Sequence, residues 1–287
     1  MEQTQVLLTG GASRLGAATA AALMADGHAV RSTDTIPPPA IPPPVSLAGW
    51  GDFRQGALTD ADFVASLLEG FPLREESALP GAGSPGGGLP GEAPPGEGPI
   101  IVHLAPLALL ETMPADAPAE ILDAAARGTH VLLKAAVERG VRHVVQGSTL
   151  AVMDAYHDDL EVDEQWRPRP RPDPAEMAPY LAELTAREFT RDVQLDSRLS
   201  VICLRFADPR ALSLADAVRA VQRALIAFRA NAFQSSATPA GSRQQGRHWQ
   251  VYHISGLAAD ARYTSALAQR ALGYAVDNAA GNAGEGR

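Results

Sequence analysis

The chain has 287 residues, of which 46% are hydrophobic and 20% charged, and its net charge is −9. The apolar fraction excludes wholesale disorder, the negative charge argues against nucleic acid as a partner, and no apolar run of about 18 residues can span a membrane. With Cys203 as the only cysteine, no metal-ligand spacing among the histidines and no basic segment at the start, we expect a cytoplasmic protein without a metal site or a secretory signal.

Apolar runs alternate with helix-periodic segments along the whole chain, which indicates a parallel sheet covered by helices. The predicted strands are 5–8, 28–32, 100–104, 143–146, 200–206 and 250–254, with a short additional strand near 50–53. The predicted helices are 15–25, 60–68, 119–139, 176–193, 214–231 and 263–272. The fold class is therefore α/β, a doubly wound parallel sheet of the Rossmann type.

Three segments interrupt this alternation. Residues 37–44 are mostly proline, and residues 72–99 are rich in glycine and proline, a composition that is typical of linkers. The tail 277–287 is expected to be disordered. We therefore predict one domain over 1–276 that contains a flexible insertion at 72–99.

The clearest functional signal is a glycine-rich turn after the first strand, between Thr9 and Gly16. Gly10 and Gly11 permit a tight turn close to a pyrophosphate, and Gly16 permits close packing of the following helix, whose free amides face the anion. Asp34 ends the second strand at the spacing of a carboxylate that binds ribose hydroxyls and repels a 2′-phosphate. Asp34 thus favours NAD over NADP, whereas Arg14 in the turn would favour NADP. Alternatively, Asp34 and Arg14 are both solvated surface residues without a role in cofactor binding.

In order and spacing, several motifs resemble the extended short-chain dehydrogenase/reductase family, the NAD-dependent epimerase/dehydratase group. They are Thr9–Gly16, Gly56–Asp60, Val102–Ala105, Gly128–Thr129, Ser148–Thr149, Tyr180 with Glu188, Leu204–Phe206 and Leu214–Asp216. The resemblance implies that the cofactor contacts ten residues of this chain. They are Gly10, Gly11, Ser13, Arg14, Leu15, Gly16, Asp34, Leu58, Leu104 and Ala105. The same resemblance implies that Thr149 and Tyr180 polarise a substrate oxygen while a hydride moves to or from the nicotinamide ring.

The chain departs from that family's pattern at functional positions. Ser13 replaces a glycine, Ala57 an aspartate near adenine, and Ala125 an asparagine of the proton relay. Most seriously, Leu184 stands where the family has the lysine that lowers the tyrosine pKa, and an unperturbed tyrosine titrates near ~10. The chain's only lysine, Lys134, lies on a different predicted helix.

Two functions remain open from the sequence. One is an NAD(P)-dependent oxidoreductase or epimerase that acts on a sugar-like hydroxyl or keto compound with a degenerate Tyr-x-x-x-Lys motif. The other is a catalytically inert dinucleotide-binding sensor or scaffold. The short link after the strand at 200–206 predicts a reduced substrate lobe at about 207–276, and the resemblance implies a homodimer.

Overall fold

The computed structural model describes residues 4–37, 52–70, 98–114, 116–191, 199–230, 248–256 and 262–276. The predicted insertion at 72–99, apart from its last two residues, lies outside this part of the chain. Most of the proline-rich segment 37–44 and the whole tail 277–287 lie outside it as well. The expectations for these three segments therefore stay predictions.

Seven strands and seven α-helices make up the described fold. The strands are β1 (Gln5–Thr9), β2 (Ala29–Asp34), β3 (Asp52–Gln55), β4 (Ile100–His103), β5 (His143–Thr149), β6 (Ser200–Phe206) and β7 (Trp249–Ile254). The helices are α1 (Arg14–Ala25), α2 (Ala61–Leu67), α3 (Ala105–Thr112), α4 (Pro118–Glu138), α5 (Pro174–Arg191), α6 (Leu214–Arg229) and α7 (Ala266–Leu272). A short 3-10 helix, Leu150–Met153, follows β5.

All seven strands are parallel, in the order β3-β2-β1-β4-β5-β6-β7. The chain therefore builds outward from β1 in one direction and from β4 in the other, which confirms the doubly wound sheet. In such sheets a crevice opens at the carboxyl ends of the two strands where the order reverses. Here that place lies between Thr9 and His103, the last residues of β1 and β4.

Helices cover both faces of the sheet. On one face α1 packs against α6, and on the other α4 packs against α2 and α5. Successive side chains of a strand point to opposite faces, so Val6 and Leu8 join the core beneath α1 and α6 while Leu7 joins the core on the other side. Burial on both faces explains why the strands read as continuous apolar runs.

A directed chain of hydrogen bonds ties β1, β4 and α4 together through the buried His103. The Thr129 hydroxyl donates to the Ala125 carbonyl at 2.6 Å, so it must accept from His103 Nε2, 2.9 Å away. His103 Nδ1 then accepts from the Thr9 hydroxyl at 2.7 Å. Burial lowers the pKa of His103 to about 3, so the ring stays neutral. His103 is thus a buried structural residue at the end of β4.

Helix α3 was not predicted. Its sequence, Ala-Pro-Leu-Ala-Leu-Leu-Glu-Thr, is apolar on most sides, and its N-cap Leu104 makes no side-chain hydrogen bond. Periodicity and capping, the two usual signals of a helix, are thus both weak there. The structure shows the segment after β4 as a helix packed against α4, α5 and β5.

After β6 the structure describes residues 207–230, 248–256 and 262–276. Only residues 207–213 separate β6 from α6, and Val162 forms an isolated parallel bridge with Tyr263. Residues 231–247 and 257–261, which belong to the predicted substrate lobe, lie outside the described residues. No helix in the described ranges is long and apolar enough to cross a membrane.

Candidate functional site

The glycine-rich turn forms at the carboxyl end of β1, and space rather than flexibility alone requires its glycines. Gly10 has φ +78°, and a Cβ atom there would lie 2.7 Å from the Ala105 nitrogen. A Cβ atom on Gly16 would lie 2.0 Å from the Gly10 carbonyl oxygen. Gly11 is less constrained, since its Cβ atom would meet only the Ser32 side chain at 3.0 Å. The turn therefore brings β1, α1 and the start of α3 into close approach.

Asp34 lies beside this turn and is only 8% exposed. One carboxylate oxygen accepts from the Ala12 amide at 3.0 Å and the other from the Thr35 amide at 2.7 Å. Burial raises the pKa of Asp34, and these two amides partly offset the effect. Oδ1 also accepts from the Thr35 hydroxyl at 3.4 Å, whereas Oδ2 can accept a further hydrogen bond, so Asp34 can both hold the turn and bind a hydroxyl group.

Ser13, which replaces a family glycine, acts as the N-cap of α1. Its hydroxyl donates to the Gly10 carbonyl at 2.8 Å and accepts from the Gly16 amide at 3.0 Å. The residue is buried, and its own amide donates to the same carbonyl. The hydroxyl is thus fully engaged within the turn, and the departure from glycine is compatible with a well-formed helix start.

Arg14 begins α1, and its side chain is exposed. Its backbone amide donates to a carboxylate oxygen of Glu111, on α3, at 3.0 Å. An acidic side chain from a distant segment therefore lies at the N-terminus of α1. Sequence analysis did not single out Glu111, because 97 residues separate it from Arg14 and α3 itself was not predicted.

A cavity of about 560 Å³ opens next to the turn, at the carboxyl edge of the sheet. Its walls come from the start of α1 (13–15), from Leu104 and α3, from residues 148–154 after β5, from the segment 206–217 after β6, and from 262–263. Leu107, Leu110, Leu150 and Phe206 make much of the wall apolar. Its size and mixed lining suit a small-molecule site.

Thr149 lies on the wall of this cavity, at the end of β5. Its oxygen accepts from the Ala151 amide at 3.2 Å and so caps the 3-10 helix. The hydroxyl proton makes no hydrogen bond to another described residue, and it is available to a ligand oxygen. Thr149 therefore caps a turn and is a candidate hydrogen-bond donor to a ligand in the cavity.

Most other polar side chains on the wall are already paired within the protein. Ser148 donates to Glu183 at 2.5 Å, the Tyr263 hydroxyl donates to Asp154 at 2.5 Å, and Asp208 holds Arg210 at 2.9 Å. Ser213 caps α6, and Arg262 contacts Asp158 at 2.7 Å. These pairs hold the segments that enclose the cavity in place.

Tyr180 is on α5, where it is half-buried and packs against the core beneath α1 and α6. It is not one of the residues that line the cavity, whereas Thr149 is. Lys134 does not replace the missing lysine, because its side chain is 63% exposed and pairs with Glu138 on α4.

The glutamate of α5 that pairs with β6 is Glu183, whereas Glu188 is the one that was matched to the family motif. Glu183 accepts from Arg205 at 2.7 and 2.9 Å and from Ser148, and both charged side chains are 4% exposed. Glu188 is exposed and pairs only with Arg191, one turn further along. The ion pair that anchors α5 to β6 thus involves Glu183, a residue that the sequence did not single out.

Of the three remaining predicted cofactor residues, Leu104 and Ala105 lie next to the turn and Leu58 lies against α4. Leu104 is buried and borders the cavity, and the adjacent Ala105 donates its amide to the Thr9 hydroxyl at 3.4 Å. Leu58 is half-buried and packs on α4, where a Cβ atom on Gly128 would lie 3.2 Å from it. No group of three metal-ligating side chains occurs within the described residues.

The solved structures that share this architecture include dehydrogenases of uronic acids and an epimerase of a sugar nucleotide. A glucuronic acid dehydrogenase from Chromohalobacter salexigens superposes with a TM-score of 0.65 at 17% identity, over 96% of this chain and 85% of that one. A mutated uronate dehydrogenase gives a TM-score of 0.64 at 18% identity, over 96% and 82%. The UDP-glucose 4-epimerase from Brucella ovis, solved in complex with NAD, gives 0.58 at 18% identity, over 96% and 94%.

No protein-family model matches the chain, and no curated protein matches its sequence. At identities below 20%, the similarity to these structures establishes the fold. The chain has the fold of NAD-dependent sugar dehydrogenases and epimerases, a seven-stranded parallel sheet with a glycine-rich turn at its switch point.

Proposed function

We propose that this protein binds NAD at the carboxyl edge of its sheet, with the diphosphate at the start of α1 and the adenosine ribose at Asp34. The observation that carries the proposal is the glycine-rich turn, where a Cβ atom on Gly10 or Gly16 would clash with backbone atoms. Glycine at these positions lets α1 begin directly beside the cavity, which residues 13–15 line. Helix amides bind phosphate oxygens well in such a turn. A ribose hydroxyl would donate to Oδ2 of Asp34.

The preference for NAD over NADP rests on the burial of Asp34 beside the turn. A 2′-phosphate in the same place would put a second negative charge next to a carboxylate that burial already disfavours as an anion. Arg14 is the exposed cation that would favour the phosphate instead, but its side chain makes no hydrogen bond to another described residue. Asp34 is therefore the stronger discriminator.

Calorimetric titration of the purified protein with NADH and then NADPH tests both statements. We expect micromolar binding of NADH and at least about tenfold weaker binding of NADPH. An Asp34→Asn variant should narrow that difference, and Asp62→Asn, which removes an exposed carboxylate from α2, should not. If neither NADH nor NADPH binds, the proposal is contradicted. If NADPH binds more tightly than NADH, then Arg14 rather than Asp34 determines the preference.

The chemistry that we propose is oxidoreduction or epimerisation at a sugar-like hydroxyl or keto carbon. NAD, when bound, supplies a hydride acceptor. The Thr149 hydroxyl would donate a hydrogen bond to the substrate oxygen in the cavity. Leu107, Leu150 and Phe206 would exclude water from the cavity. Tyr180, the second catalytic candidate, would have to reach the substrate from outside the described cavity wall.

A second candidate is a catalytically inert dinucleotide-binding protein that senses redox state or supports a partner. The observation that favours it is the combination on α5 of Leu184 in the position of the lysine and Tyr180 away from the cavity wall. A tyrosine without a nearby cation is a poor base near neutral pH. In that case the fold would bind the cofactor without turnover.

Assays of NADH formation and oxidation with uronic acids and sugar nucleotides separate the two candidates. Turnover that is lost in Thr149→Val, but kept in Thr185→Val on α5, would support the enzyme. Leu184→Lys should raise such turnover if Tyr180 takes part in it. Tight NADH binding with no turnover by the wild type or by Leu184→Lys would support the inert protein.

The resemblance to the dehydrogenase family also implies a homodimer through α4 and α5, and we keep this as a proposal. The two helices pack against each other and carry exposed residues such as Lys134 and Glu188. Light scattering on the purified protein tests it: a mass near twice 30.1 kDa is expected, and a monomer would contradict it.

A further inference from the structure

Glu111 lies where the diphosphate of the proposed function would bind. Its carboxylate accepts from the Arg14 amide at 3.0 Å, at the N-terminus of α1, and it borders the cavity together with Ser13 and Leu15. We propose that Glu111 is an internal competitor of the cofactor, so that a dinucleotide must displace this carboxylate before its diphosphate reaches the helix. The inference rests on the proposed NAD site and concerns its affinity.

The amides at the start of α1 show how little of the anion site is left open. The Gly16 amide donates to the Ser13 hydroxyl and the Ser13 amide to the Gly10 carbonyl. The Arg14 amide donates to Glu111, which leaves the Leu15 amide as the one without a partner among the described residues. A diphosphate needs at least two such donors, and Glu111 holds one of them.

Charge strengthens the competition. A carboxylate at a helix N-terminus is stabilised by the aligned peptide dipoles, as a phosphate would be. Glu111 also adds to the factors that raise the pKa of Asp34, so its negative charge reaches both ends of the adenosine diphosphate site. A diphosphate that entered beside Glu111 would meet a like charge, and binding therefore requires the carboxylate to move away.

The structure permits that movement in the side chain alone. Glu111 is exposed at the rim of the cavity, while the body of α3 packs against α4, α5 and β5. Leu109 on the same helix is buried with Ile121 of α4 and Ala178 of α5. The helix can thus stay in place while the carboxylate rotates into solvent.

Two substitutions of Glu111 and a distant control test the proposal by calorimetry with NADH. Glu111→Ala should bind NADH about tenfold more tightly than the wild type, and Glu111→Gln, which keeps the shape but loses the charge, should fall between them. Glu138→Gln removes the same charge from the far end of α4, where Glu138 pairs with Lys134, and should bind like the wild type.

Thermal unfolding with inorganic pyrophosphate separates this inference from the proposed function. Pyrophosphate should raise the melting temperature of Glu111→Ala but not that of the wild type. Equal NADH affinity in the wild type and Glu111→Ala would overturn the inference and leave the cofactor site standing. Stabilisation of Glu111→Ala by pyrophosphate without NADH binding to any variant would support the competition at the helix and refute the cofactor. No effect of either compound on Glu111→Ala would refute both.

Discussion

Gly16 and Gly27, near the two ends of α1, differ in the physical reason that favours glycine. Gly16 has no unusual φ, yet its Cβ atom would lie 2.0 Å from a backbone oxygen, whereas Gly27 has φ +88° and open space around it. Gly16 was predicted from the sequence as part of the phosphate-binding turn. Sequence alone did not tell which would be the less tolerant, because that depends on how closely the Gly10 carbonyl approaches.

A Gly16→Ala substitution should therefore be far more harmful than Gly27→Ala. The methyl group at position 16 meets backbone, so α1 must shift, and we expect a loss of about 2–3 kcal/mol in the free energy of unfolding together with loss of NADH binding. At position 27 only the positive φ is unfavourable, which costs about 1 kcal/mol and leaves binding unchanged. Urea unfolding and calorimetry would measure both, and equal effects of the two variants would contradict the steric argument.

Ser13 and Glu111 mark the limits of residue-level prediction. A serine directly before a helix is a standard N-cap, so its observed role could have been derived from the sequence. Glu111 gives no such signal, since it is an ordinary acidic residue near the end of an apolar segment. Its contact with Arg14 exists only because α3 follows β4, the strand next to β1.

At the scale of elements, strands were easier to predict than the helix that borders the site. Buried parallel strands such as β4 and β6 are continuous apolar runs, and their positions were predicted to within one or two residues. α5 was predicted as a helix, but the orientation of its carboxylates was not. Which carboxylates of α5 face the sheet depends on how the helix packs, and the family motif, which contains Glu188, gave no indication of the pair between Glu183 and β6.

The ion pair between α5 and β6 should dominate the stability of that contact. Glu183→Gln would leave the Arg205 guanidinium buried without a counter-charge, and we expect a loss of about 3–5 kcal/mol. Glu188→Gln, on the same helix, breaks an exposed pair with Arg191 and should cost less than about 1 kcal/mol. Urea unfolding of the two variants measures the difference, and similar losses would show that the burial of Glu183 does not matter.

At the scale of the whole molecule, the alternation of strands and helices was enough to predict the sheet, because parallel strands joined by helices have few topologies. The composition of the cavity was not predictable in this way. Its wall combines residues from five segments between Ser13 and Tyr263, and their meeting depends on loop paths that carry no periodic signal. The sequence thus placed Thr149 at the edge of the sheet without showing that Tyr180 would lie elsewhere.

The buried histidines make the stability of the whole molecule sensitive to acid. Burial lowers the pKa of His103 and His253 to about 3 and, with Arg142 nearby, that of His143 to about 4. In the unfolded chain each takes up a proton below its ordinary value of about 6.5, so the stabilisation present above that pH is lost as the pH falls towards 4. Each histidine contributes a slope of about 1.4 kcal/mol per pH unit, and the raised pKa values of Asp34 and Glu164 oppose part of it.

Urea unfolding between about pH 7 and about pH 5 should therefore show a free energy of unfolding that decreases with acidity. In His103→Gln the slope of the free energy of unfolding against pH should fall by about 1.4 kcal/mol per pH unit, the contribution of one proton, because the titrating group is gone. This holds whatever the absolute stability of the variant. His157→Gln removes an exposed histidine that pairs with Asp159 and should leave the slope as it is. A free energy of unfolding that does not change between these pH values would contradict the prediction. An unaltered slope in His103→Gln would mean that the buried ring between Thr9 and Thr129 takes up a proton without unfolding of the protein.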